Sequence, residues 1–195
     1  MLASITPLGE RGRRSTWGVT VTAFAIGATV AAGALGAVLG SIGSAVLEAV
    51  SAKPRLITLA LVLAVAAMLD LRRARVPGPI RQVDERWLDQ FRGWVYGLGY
   101  GAQLGIGLTT VVSSAATYVA VVAATLSGSA LRGAVVLGCF GLTRGLTPLA
   151  TARIEDPARL MNMHAWLERV RGPVRRGVAL VLMAGLAAAT IGAFT

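Results

Sequence analysis

The sequence predicts an all-α fold, a polytopic transmembrane helix bundle of about five membrane-spanning helices with interfacial amphipathic helices beside them. Three observations carry this. Mean hydropathy is +0.68. Only 14% of the residues are charged, where soluble domains carry roughly 25%. The apolar residues fall in long blocks rather than in a helical or strand period, and those blocks reach the ~20 residues that cross a ~30 Å hydrocarbon core. At 195 residues the chain reads as a single integral membrane domain.

The spans are placed at about 17–43, 54–71, 96–126, 130–150 and 174–194. The first apolar block runs from Trp17 to Val50, too long for one straight crossing. A break is expected at Gly40-Ser41-Ile42-Gly43-Ser44, with a short helix after it. The second block ends in Asp70, Arg72 and Arg73. In the charged segment that follows, Pro77-Gly78-Pro79 stops any helix. Beyond it Val83, Trp87, Phe91 and Trp94 recur at helical spacing. That stripe suits a helix in the headgroup layer, or an extension of the third span. The turn Ser127-Gly128-Ser129 separates the third and fourth spans. Asp156-Pro157 then has the form of a helix start, an acidic N-cap followed by proline. Leu160, Met163, Leu167 and Val170 share one face of the helix it opens, and Gly172-Pro173 is expected to end that helix before the fifth span.

Charge gives the topology. Net charge is +10, from 18 arginines and the one lysine, Lys53. Arg11, Arg13 and Arg14 precede the first span. Six arginines lie in 72–93 and six in 151–176, against Lys53, Arg55 and Arg132 in the alternate connections. The bias toward positive residues on the cytoplasmic side puts the N-terminus in the cytoplasm and the C-terminus outside. The expected location is a bacterial cytoplasmic (inner) membrane. Because the basic residues mark loops, nucleic acid is not the expected partner; the lipid bilayer is, together with a second copy or a membrane protein partner. The opening residues are too short and carry their charge on the wrong side for a cleavable signal peptide.

No catalytic residues are assigned. The lone Cys139 forms no internal disulfide or CxxC pair, and the lone His164, read in a loop, has no ligand neighbours. No metal and no cofactor is expected. Five glycines, Gly97, Gly99, Gly101, Gly105 and Gly107, open the third span. They fit either close helix packing or a functional break of the kind found at transporter substrate sites. Gln103, Thr110, Ser114 and Thr117 then form a polar face, readable as a hydrated path or as interhelical hydrogen bonding. Arg144, inside the fourth block, either snorkels to the cytoplasmic interface or faces inward, with Asp70 as a candidate partner. These five residues are the candidate substrate path. Gly36 and Gly40 in the first span, and Gly141 and Gly145 in the fourth, belong to small-residue seams and are the candidate helix-packing positions.

The segment Gly97-Leu-Gly-Tyr-Gly-Ala-Gln-Leu-Gly, with Leu126-Ser-Gly-Ser-Ala-Leu-Arg-Gly133, resembles the second half of the CcdA/DsbD-type transmembrane domain, in the LysE-like broad grouping. The resemblance covers about 17–194. It implies a scaffold of two three-helix halves, here without the first helix, and a family activity of moving reducing equivalents toward cytochrome c biogenesis. The redox cysteines of that family are absent: one position falls near Gln103, and Cys139 matches neither place. The expected role is therefore a non-catalytic transporter-like or assembly subunit. The alternatives are a structural subunit of a larger membrane complex and a thiol-redox accessory using a partner's cysteines.

Overall fold

A computed structural model describes residues 5–72, 76–78, 87–108 and 114–194, without the side chains of Asp89 and His164. Among the described residues every regular element is helical. They are α1 (Pro7–Gly12), α2 (Trp17–Val46), α3 (Ala52–Leu71), α4 (Trp87–Gln90), α5 (Gly93–Ile106), α6 (Ala116–Leu126), α7 (Ala130–Gly145), a short 3-10 helix (Thr147–Thr151) and α8 (Pro157–Phe194). Four stretches are long and apolar enough to cross a membrane: Trp17–Val46, Ala52–Leu71, Ala130–Thr151 and Pro157–Phe194.

The burial pattern identifies the solvent. Val30 and Leu61 are each 64% exposed and Val181 is 72% exposed, while Ala28, Ala32 and Ala124 are fully buried. Many large apolar side chains thus point outward, while alanines are among the residues packed inside. Water-soluble monomers rarely expose contiguous apolar surface on that scale, whereas hydrocarbon accepts it at no cost. The chain is a multi-pass membrane protein.

Four local expectations are corrected. The helix α2 runs unbroken through Gly40–Ser44. Its Ser41 and Ser44 hydroxyls donate to Ala37 and Ser41 carbonyls of the same helix, so the polar groups are satisfied without a break. Likewise α8 continues through Gly172-Pro173 and contains His164, which sequence reading placed in a loop. Having no Cβ, Gly172 escapes the clash that proline imposes on the residue before it. The third span is two helices. α5 ends at Gly107, whose φ of 72° is left-handed, and α6 begins at Ala116. Of the interfacial stripe, Val83 lies outside the described residues and Trp87–Gln90 form a single turn, α4.

The chain divides into two compact units. The first comprises 1–33, 79–111 and 138–169. Its core joins Ile5, Val21, Phe24, Leu88, Tyr96 and Tyr100. Within it Gly97, Gly101 and Gly105 of α5 face the backbone of Thr20, Phe24 and Ala28 on α2, so closely that a Cβ at any of the three would strike a carbonyl oxygen. Both sets repeat every four residues, which is the condition for two helices to stay in register. Gly141 and Gly145 of α7 meet Ala25, Ala28 and Ala32 on α2 in the same way. The start of α8 has its predicted form, with the Arg159 N–H donating to Asp156 at 2.7 Å. Over 157–170 of α8, Leu160, Met163, Leu167 and Val170 are half-buried and the other described side chains are exposed.

The second unit comprises 34–78, 112–137 and 170–195. Its core is Ala60, Leu63, Ala66 and Ala67 of α3, Ala115 and Val119 beside or on α6, and Leu182 and Ala189 of α8. Gly36 and Gly40 of α2 lie against the backbone of Gly133 and Ser129, and Gly43 against Thr125. The Arg55 side chain donates to the Leu47 and Val50 carbonyls just past the end of α2.

Candidate functional site: a basic cavity over a buried carboxylate

The N-terminal residues build the polar centre of the first unit. Thr6 caps α1 by accepting from the Gly9 N–H at 3.1 Å, and Pro7 begins the helix. This short helix delivers Glu10, which is fully buried. A carboxylate without water needs donors on both oxygens. Arg13 Nη2 donates to Oε1 at 2.8 Å and Thr20 Oγ1 to Oε2 at 2.7 Å. The Tyr96 hydroxyl is shared between the two oxygens, at 2.5 and 2.6 Å. Burial pushes the Glu10 carboxyl up, but the bonds from Arg13, Tyr96 and Thr20 and the Arg13 charge outweigh it and hold the group below its ordinary 4.5. Arg13 in turn keeps its proton more firmly than usual: burial works against the charge, and the bond to Glu10 prevails. One carboxylate thus ties α1 to α2 and α5.

The chain leaves α1 through a Schellman turn. Ser15 N–H donates to the Glu10 carbonyl at 2.9 Å and Arg14 N–H to the Arg11 carbonyl at 3.2 Å. The turn demands a left-handed residue, and Arg14 supplies it at φ 53° where glycine is usual. Beyond this turn opens a cavity of about 630 Å³, lined in part by Arg13, Arg14, Arg92, Tyr96 and Trp94. Among the described residues no carboxylate lines it. Arg92 is also the N-cap of α5 and makes no side-chain capping bond there.

The residues expected to form a substrate path are distributed differently. Gln103 is half-buried on α5 and Arg144 half-buried on α7, both in the first unit; Thr110 lies outside the described residues. Ser114 and the buried Thr117 belong to the second unit. The Arg144 guanidinium sits 5.5 Å from the Phe140 ring centroid. Asp70, its expected partner, is engaged elsewhere. Its carboxylate accepts from Ser114 Oγ at 2.7 Å and the Ala115 N–H at 3.2 Å, and its carbonyl accepts from Arg175 Nε at 2.6 Å. An acidic group at the start of α6 complements the positive end of that helix, so Asp70 and Ser114 serve the restart of the broken span. Cys139 is exposed on α7. Among the described residues no three His, Cys, Asp or Glu side chains gather as metal ligands.

Sequence reading missed Glu10, Tyr96 and the cavity. The available signal was Thr6-Pro7, a helix start placed four residues ahead of a lone acid among arginines.

No family model matches the chain, and no solved structure matches it. Two curated relatives do, both named methylamine utilization protein MauF, from Methylophilus methylotrophus and Paracoccus versutus. Each is 30% identical over 172 residues, or 86% of this chain, which corresponds to 59% of the first relative and 62% of the second. The chain therefore spans about three fifths of the length of the relatives it matches.

Proposed function

We propose that this protein is a non-catalytic membrane subunit that supports methylamine utilization, in an assembly or accessory role. The observation that carries the reading is similarity to the two MauF proteins along 86% of the chain. A tightly packed bundle suits such a role, since glycine-to-backbone contacts on both sides of α2 give it a rigid frame. On this reading the chain sits in a bacterial cytoplasmic membrane with its N-terminus inside and its C-terminus outside, on a CcdA/DsbD-like scaffold.

A transporter-like function is the second reading. It is favoured by the interrupted third span, because discontinuous helices line the substrate sites of many transporters. Complementation separates the readings. Expression in Paracoccus versutus lacking MauF is expected to restore growth on methylamine. Failure to do so by membrane-inserted protein contradicts the proposal. Rescue that survives Gln103→Leu and Arg144→Ala favours assembly over transport, and rescue that survives Cys139→Ser removes a thiol relay.

A further inference from the structure

We propose that the cavity beside the α1–α2 turn binds a phosphate-bearing anion at the membrane surface. Its chemistry is that of a lipid phosphodiester headgroup or a free phosphate, and the proposal stands apart from the role in methylamine utilization.

Four observations converge on it. Arg13, Arg14 and Arg92 line one cavity of about 630 Å³, and among the described residues no carboxylate joins them. Glu10, the partner of Arg13, is fully buried and is not among the lining residues, while Arg14 and Arg92 add further positive charge to the wall. Gly93 and Trp94, also in the lining, are the first residues of α5, whose opening N–H groups have no carbonyl within the helix. The remaining wall suits a molecule that is polar at one end. Phe91 and Trp94 are 47% and 53% exposed beside the cavity, and aromatic residues of that kind mark the headgroup level. Arginine meets phosphate oxygens through paired N–H donors, and basic pockets at the ends of spanning helices hold anionic headgroups.

The local backbone agrees. Arg14 occupies the left-handed position of the Schellman turn, where a glycine would fit without strain. Arg92 occupies an N-cap without making a side-chain cap, where serine would bond the helix. At both positions local stability favours another residue, and at both the residue present brings a cation to the cavity.

That conflict supplies a test insensitive to misfolding. The double variant Arg14→Gly/Arg92→Ser is expected to be at least as heat-stable as the wild type, yet to lose the anion. In the lipid arm, native mass spectrometry of the full chain in nanodiscs of mixed phosphatidylglycerol and phosphatidylcholine should show preferential retention of phosphatidylglycerol. Retention should fall roughly thirtyfold in the variant, at about 1 kcal/mol per arginine. In the second arm, inorganic phosphate is titrated into protein in neutral detergent at constant ionic strength. Retention of phosphatidylglycerol identifies a lipid headgroup. Phosphate binding without a lipid preference identifies a free anion in the same site. If the wild type prefers neither ligand, or the variant retains both as the wild type does, the proposal is overturned.

Discussion

A carboxylate removed from water survives ionised only when its lone pairs are filled, and Glu10 meets that condition with donors from three side chains. Tyr96→Phe deletes the one hydroxyl shared by both oxygens and leaves the remaining atoms in place. The expected cost is about 1.5–3 kcal/mol of unfolding free energy, measured by thermal or denaturant unfolding in detergent. The pH dependence follows from the lowered carboxyl. A group more acidic when folded than unfolded contributes its stability in full above the unfolded value, and that stability is lost as pH falls through the folded value. Wild-type melting temperature should therefore fall as pH drops below about 4.5, while Glu10→Gln, less stable at neutral pH, should show a shallower decline. Beyond the Thr6-Pro7 helix start, nothing in the sequence marked Glu10 or joined it to Tyr96. Glu10 and Tyr96 are 86 positions apart, and the acid stands among arginines as any solvated loop residue would. The opposite error befell Arg144 and Asp70: both were noticed, but Asp70 is occupied by Ser114 and the Ala115 amide.

At the scale of elements, the glycine-rich opening of the third span resolves into two functions at different positions. Gly97, Gly101 and Gly105 admit the α2 backbone, whereas Gly107 ends α5 in the left-handed conformation. The sequence held both readings open because one residue type serves close packing and chain reversal alike. Only the four-residue spacing of the first three separates them, and that spacing is informative once the facing residues on α2 are known. Gly101→Ala would drive a methyl group into the Phe24 carbonyl, and overpacking of this kind costs about 1–3 kcal/mol or more. The variant should melt lower than wild type. Gly177→Ala, whose added Cβ meets nothing within 4 Å, should melt no lower and gain from alanine's better helix propensity. Equal melting of the two variants would refute the α2–α5 seam.

For the whole molecule, hydropathy blocks at four places coincide with helices long and apolar enough to cross a membrane, because length and apolarity are written locally in the chain. Helix interruption was not written locally. The expected break at Gly40–Ser44 is absent and the break after Gly107 is present, since each depends on what the glycines meet. The defining property remains the outward-facing apolar surface, with Val30, Leu61 and Val181 more than half exposed. Alkaline carbonate extraction of membranes from expressing cells tests it most directly. The full chain is expected to stay in the membrane pellet at high pH and to be released only by detergent. Release into the supernatant by carbonate alone would contradict it.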